Sequence, residues 1–418
     1  MIKLCKKCLY PITHPLGITF DENQICSGCQ IHNEKFYLDW DSKLNKLHSI
    51  AKEYKKLGNK YDCIIPVTGG NESFFITYFV KYVLKLKPLC VTYNSLYSSD
   101  VGHKNLATLR RVFNVDINIY IPSREQVIAL TKASLYKINS IYWHVHAGYT
   151  SFPLHVAIRN NVPLIIWGGN ESTEQVGMYS HSDYVEMSRR YRNNHHLMGF
   201  ELDDLENFDP SISKFNNQIY KYPNYKLIRQ KNIRGIYLSN FIPWNQKDQH
   251  EFVMKKFQYK VSNFKSTFNG YEHPHCSFYN GIHDWLKYLK HGYGRLLDHL
   301  VREIRWNRIT TEEAINYIKF FKPNYPKKNI KLFCEFIDIK ENAMKFIIKN
   351  AKNKSFFSKK DFGDISLIYK KISELSNEKD HTFLSKINDS YFPKEEHYFE
   401  NNLKNYSTFK PGYNSNEN

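Results

Sequence analysis

Apolar and polar positions alternate with clear local periods along the first half of the chain. From Asp41 to Leu57, the residues Leu44, Leu47, Ile50, Ala51 and Tyr54 recur at helical spacing, which predicts an amphipathic helix ended by Gly58. Four short apolar runs, Cys63–Val67, Leu89–Tyr93, Ile117–Ile121 and Leu164–Trp167, read as buried strands. Helical patterns over Glu72–Leu86, Gly102–Phe113 and Phe152–Arg159 separate them. Strands alternating with helices predict an α/β fold, a parallel sheet covered on both faces. Ligands of such sheets bind beyond the carboxyl ends of the strands. Two glycine pairs, Gly69-Gly70 and Gly168-Gly169, fall at predicted strand ends.

The flanking regions differ. Residues 1–35 are loop-rich, bear cysteines and are interrupted by Pro11, Pro15 and Gly17, so they form a module too small for its own core. Beyond residue 205 the pattern weakens: Pro210–Tyr225 reads as loop, and His283–Arg305 and Thr311–Phe321 as helices. Thr310 or Thr311, with Glu313 close behind, caps the second. After about residue 350 the chain is rich in Lys, Asn and Ser and is expected to end in a partly disordered tail. The expected division is 1–35, an α/β domain over 36–205, a mainly helical region over 206–350, and a variable tail over 351–418.

Composition changes this picture little. Hydrophobic residues make up 42% and charged residues 24%, as in a globular chain. The net charge of +18 is spread along the sequence. It favours nucleotides and phosphorylated substrates over a dedicated nucleic-acid groove. No apolar run reaches membrane-span length and Met1–Tyr10 is polar, so a cytoplasmic protein is expected.

Cysteine spacing adds chemistry. Cys5-x-x-Cys8 and Cys26-x-x-Cys29 are two knuckles that together predict a tetrahedral four-thiolate site for structural zinc, a zinc ribbon. An iron–sulfur cluster or a redox pair are the alternatives. Four thiolates leave no open position for catalysis. Cys63, Cys90, Cys276 and Cys334 are isolated and expected to be buried thiols.

Thr68-Gly69-Gly70-Asn71-Glu72-Ser73 joins a strand to a helix. Glycines let the backbone approach an anion, the helix start offers free N–H groups, and Ser73 adds a hydroxyl. An ordinary strand–helix turn is the plainer alternative. No G-K-[ST] follows, so the loop is not of the Walker type.

This loop resembles the S-G-G-x-D-S loop of PP-loop ATP pyrophosphatases (adenine nucleotide alpha hydrolase-like). The resemblance narrows to the N-acetyl sugar amidotransferase family of surface-polysaccharide biosynthesis. It rests on Cys5-Lys6-Lys7-Cys8-Leu9-Tyr10-Pro11, Ile18–Asn23, Cys26-Ser27-Gly28-Cys29, Asp39-Trp40-Asp41, Tyr61–Val67, Phe152–His155, Ile242–Asn245, Gly292-Tyr293-Gly294-Arg295 and Arg308–Ala314. It spans roughly residues 1–345. The resemblance implies that ATP adenylates the oxygen of a sugar N-acetyl group and that ammonia then displaces AMP to leave an acetamidino group. It implies sugars of the pseudaminic and legionaminic acid type, in LPS, capsule or flagellin-glycan biosynthesis, and a class I glutaminase subunit supplying the ammonia. ATP, Mg2+ and structural Zn2+ are the implied cofactors.

On this resemblance Thr68, Gly69, Gly70, Asn71, Glu72, Ser73, Tyr93, Gly168, Gly169 and Asn170 bind the nucleotide, and Glu72, Ser73 and Arg295 are catalytic. The family loop reads S-G-G-K-D-S; here Thr68, Asn71 and Glu72 replace Ser, Lys and Asp, and a G-E-N loop reads Gly168-Gly169-Asn170. A PP-loop tRNA-thiolation enzyme and a catalytically impaired nucleotide-binding homologue are the alternative readings.

Four further groups are candidates. His273-Pro274-His275-Cys276 with His283 could bind metal, or be polar surface. Trp143-His144-Val145-His146, preceding the Phe152 helix, could touch substrate, or pack. Arg189, Arg190 and Arg192 could meet a substrate anion, or be solvated. Gly292–Arg295 with Asp298 and His299 could enter the cleft, or pack a helix.

Overall fold

The computed structural model describes residues 2–262, 267–321, 323–357 and 365–376. Most of the expected tail, and any disorder there, lies outside the described residues. The helices are α1 (Ser27–Glu34), α2 (Trp40–Lys55), α3 (Asn71–Tyr78), α4 (Asp100–Phe113), α5 (Arg124–Ile138), α6 (Trp143–Asn160), α7 (Arg189–Tyr191) and α8 (Leu202–Phe208). They continue with α9 (Tyr225–Gln230), α10 (Gln246–Lys256), α11 (Asn280–His291), α12 (Arg295–Arg305), α13 (Thr311–Phe320), α14 (Lys327–Ile337), α15 (Glu341–Ala351) and α16 (Leu367–Ser373). The strands are β1 (Cys63–Pro66), β2 (Pro88–Tyr93), β3 (Asp116–Tyr120), β4 (Leu164–Trp167) and β5 (Arg234–Tyr237).

All strand pairs are parallel, in the order β3-β2-β1-β4-β5. This is the expected α/β fold, a parallel sheet with helices on both faces, with the cysteine module at the N-terminal end. The central strands are almost wholly buried and mainly apolar, Thr92 being the exception in sequence, because helices cover both faces. Only β3, at the edge, leaves positions exposed. The order reverses at β1, whose neighbours β2 and β4 lead to opposite halves of the sheet. A crevice opens at such a switch point, and the two glycine loops follow β1 and β4.

Local chemistry sets the helix ends. Asp39, Ser99 and Ser123 accept the N-cap bonds of α2, α4 and α5. Asn114, Asn139 and Asn161 close α4, α5 and α6 in the left-handed conformation. At α13, Thr310 and Glu313 form a reciprocal capping box, as expected.

The structure corrects several expectations. The helix expected over 72–86 is α3 followed by a π-turn, Phe79–Val83. Trp143–His146 do not precede the Phe152 helix but form its first turn. The helix expected over 283–305 is two, α11 and α12, broken where Gly292 ends α11 at φ +74° and Gly294 caps α12. Helix α5 was not foreseen, nor was β5, which joins the sheet from beyond residue 205. The cysteine module shares a core with α11, α12, α13 and α16: Tyr10, Ile18 and Cys26 pack in one cluster with Leu300, Ile304 and Tyr369.

Candidate active site and metal centre

Two tight turns bring the cysteines together. Leu9 takes φ +66°, and short bridges join Leu4 to Pro11 and Phe20 to Cys26. The four sulfurs lie within 4.8 Å of one another, with Cys5–Cys29 at 3.9 Å and Cys8–Cys26 at 3.6 Å. Zinc–sulfur bonds of about 2.3 Å put tetrahedral thiolates about 3.8 Å apart, so the cage fits zinc. Arg305 is buried against it and donates to Cys26 Sγ (3.5 Å) and to the Gln175 carbonyl (2.7 Å). Its charge offsets part of the negative charge that four thiolates would hold. Gly28 is required beside it, since a Cβ there would lie 2.2 Å from Arg305 Nη2.

A cavity of about 400 Å³ opens at the ends of β1, β2, β4 and β5. Thr68, Gly70, Asn71, Glu72 and Ser73 line it, with Gly168, Gly169, Tyr93 and Arg295. Gly70 caps α3 without a side-chain bond, which leaves first-turn N–H groups available to an anion. Ser73 Oγ accepts from the Thr68 N–H at 3.0 Å, fixing the loop and keeping its own proton to donate. Gly69 does not line the cavity. It takes φ +82°, and a Cβ there would meet the Gly102 carbonyl at 2.4 Å, so it serves the turn.

Glu72 stands in the cavity wall, open to the interior yet surrounded by protein. Desolvation pushes its carboxyl up to about 7, opposed by the hydrogen bond from Gly169 and reinforced by Glu171. Two other expected residues act differently. Asn170 is buried away from the cavity: its Oδ1 accepts from Tyr191 Oη (2.6 Å) and Ser172 N (3.1 Å). Arg295 reaches the cavity but is held by both carboxylate oxygens of Asp284, at 2.8 and 2.9 Å. Tyr93 presents its ring at the end of β2 while its hydroxyl bonds His144 and Tyr220.

Of the other groups, Arg192 is structural. It is fully buried and binds Glu201, Thr150 and the Tyr220 carbonyl. His144 and His146 do not line the cavity, whereas His196 does. His275 is bonded to Ser262 and to the Gly270 carbonyl, and among the described residues the four cysteines alone group as metal ligands. Asp298 accepts from Tyr10 (2.7 Å) and braces the cysteine module. Cys276, expected to be buried, is partly exposed beside the loop, its sulfur 3.8 Å from Thr68 Oγ1. Cys63, Cys90 and Cys334 are buried as expected.

The sequence reading missed one wall altogether. Helix α1 and the residue after it bring His32 and Lys35 from the cysteine module into the cavity, facing Glu174, Glu272, Arg302 and Trp306. Lys35 donates to Glu174 and to the Trp244 carbonyl (3.1 Å). Burial lowers its pKa, countered by Glu174. The only signal in the sequence was a lysine just beyond the second knuckle, which looks like any surface lysine.

Residues 266–373 match the family model described as "LPS biosynthesis protein WbpG-like, C-terminal domain". That stretch contains Gly292–Arg295 and Arg308–Ala314, two of the motifs behind the sugar amidotransferase resemblance, which it bears out. The uncharacterized protein MJ1599 of Methanocaldococcus jannaschii is 26% identical over 115 residues, 28% of this chain and 41% of that protein. The chain therefore spans well under half the length of this curated relative. The NH3-dependent NAD synthetase of Campylobacter jejuni, solved with nitrate, aligns at 16% identity over 47% of this chain and 94% of its own, with a TM-score of 0.28. Among the described residues no helix is long and apolar enough to cross a membrane.

Proposed function

We propose that this chain, with its WbpG-like C-terminal domain, is the synthetase subunit of an ATP-dependent amidotransferase in surface-polysaccharide biosynthesis. The observation that carries the reading is the meeting of the Thr68–Ser73 and Gly168–Gly169 loops at one end of a parallel sheet, in a cavity that also reaches Arg295 of the matched domain. The triphosphate lies against the N-terminus of α3 and the adenine towards Tyr93. Glu72 and Ser73 offer the oxygen donors that suit Mg2+, which when bound neutralises phosphate charge. The acetamido oxygen of the sugar attacks the α-phosphorus and pyrophosphate leaves. Ammonia then adds to the activated carbon, AMP departs, and an acetamidino group remains.

The ammonia comes from a separate class I glutaminase. The thiol that faces the cavity, Cys276, is pushed up by burial, the opposite of an activated nucleophile. The test is AMP release by the purified chain with magnesium ATP, ammonium and candidate N-acetyl sugars. Sugar-dependent AMP formation with ammonium but not glutamine is expected. Glutamine hydrolysis by the chain alone would remove the partner. Retention on tRNA without sugar-dependent AMP would favour a thiolation enzyme. ATP binding without turnover would favour a nucleotide-binding homologue.

A further inference from the structure

The charged end of the cavity is built unlike its phosphate-loop end. Among the described residues four Lys and Arg side chains line the cavity, and each already has a carboxylate partner: Lys35 with Glu174, Arg302 with Glu272, Arg308 with Glu303 and Arg295 with Asp284. A lobe balanced in this way gives a polyanion little net attraction. It does present donors beside acceptors, because each ion pair holds its partner's geometry and keeps further hydrogen-bonding capacity. Such groups recognise hydroxyls and amides.

A second observation points the same way. Gln249 of α10 lines this cavity and is 6% exposed, yet its Nε2 has no hydrogen-bond partner among the described residues. His32 of the cysteine module is 4% exposed, lines the same cavity, and its Nε2 is likewise unpartnered. Buried polar groups are normally paired, and orphans of this kind in a cavity wall mark a place where a ligand completes the bonding.

We propose that this lobe is the subsite for the sugar ring of the acceptor, with the cysteine module forming one wall through His32 and Lys35. The proposal rests on the sugar-acceptor reading above and adds where the ring lies and which residues hold it. Lys35 and Gln249 donate to ring hydroxyls or to the acetamido carbonyl, and Glu272 accepts from a hydroxyl. Any phosphate of the acceptor lies outside the lobe. A cysteine module that looks only structural thus takes part in acceptor selection.

The experiment uses the full zinc-loaded chain and two probes, N-acetylglucosamine and UDP-N-acetylglucosamine. Saturation-transfer NMR is recorded in the presence of α,β-methylene-ATP. Gln249→Leu removes a group that makes no described bond at Nε2, so the fold should tolerate it, and Lys35→Met is the second variant. Sugar-ring signals are expected in the wild type from both probes. Each variant should weaken them about fivefold or more, the scale of one lost hydrogen bond. Zinc content and affinity for the ATP analogue should stay within about twofold.

Full sugar signals in both variants would overturn the proposal. So would parallel loss of analogue affinity in a folded variant, which would assign the lobe to the nucleotide. A wild type that binds the analogue but neither sugar sinks the subsite alone. A wild type that binds sugar but not the analogue sinks the ATP reading and leaves the subsite standing.

Discussion

Glu72 Oε1 accepts a hydrogen bond from the Gly169 N–H at 2.9 Å, tying the loop after β1 to the loop after β4. The tie needs glycine next door, because a Cβ on Gly168 would sit 1.9 Å from the same oxygen. Gly168→Ala should therefore expel the Glu72 carboxylate and let the loops part. A hydrogen bond to a charged group contributes about 1.5–3 kcal/mol, so affinity for an ATP analogue should fall about ten- to a hundredfold in calorimetric titration. Unchanged affinity would show that the tie does not shape the nucleotide site.

The same carboxyl gives a pH signature. Its folded pKa of about 7 lies above the ordinary 4.5, so between these values the native state holds a proton that the unfolded chain releases. The stabilisation is full below about 4.5 and is lost as pH rises through 7. Relative to Glu72→Gln, which cannot ionise, the wild-type melting temperature should decline from pH 5.5 to pH 8. Parallel curves for the two proteins would rule this titration out.

Arg192 separates packing from substrate binding. It is buried with Glu201, Thr150 and the Tyr220 carbonyl as partners. Arg192→Met takes from that carboxylate its close partner at 2.8 Å and leaves only the exposed Arg189 at 3.7 Å, a loss of about 3 kcal/mol. Denaturant unfolding should register that loss, whereas Arg189→Met, at an exposed side chain, should change stability by about 0.5 kcal/mol or less.

Metal analysis should find one zinc per chain, and Cys5→Ser should lose it. The module's apolar residues pack into the cluster of α11, α12 and α13. Stripping the metal with a chelator should therefore lower the melting temperature of the whole chain and disturb Lys35 in the cavity. Full zinc content in Cys5→Ser would overturn the assignment.

How much of this could be read beforehand follows from the range of each interaction. The four strands in strict alternation with helices were legible because apolar runs and glycine punctuation are local. β5 was not: Arg234-Gly235-Ile236-Tyr237 is short, and only its pairing with Leu164–Trp167 makes it a strand. Cys5, Cys8, Cys26 and Cys29 were legible because thiolate spacing itself encodes a tetrahedron. Asn170 and Arg295 looked alike as polar residues in glycine-rich motifs. Their true partners, Tyr191 and Asp284, are set by tertiary contacts. Lys35 was invisible for the same reason, since Glu174 lies 139 positions away.

Arg305 against Cys26 also fixes an order of events during synthesis. The two residues are 279 positions apart in the chain. At about 5–20 residues per second, the thiolates leave the ribosome roughly tens of seconds before their guanidinium does. A nascent module that takes up zinc at that stage does so with the charge of its four thiolates still uncompensated by Arg305. A truncated chain ending before α12 should hold zinc more weakly than the finished protein.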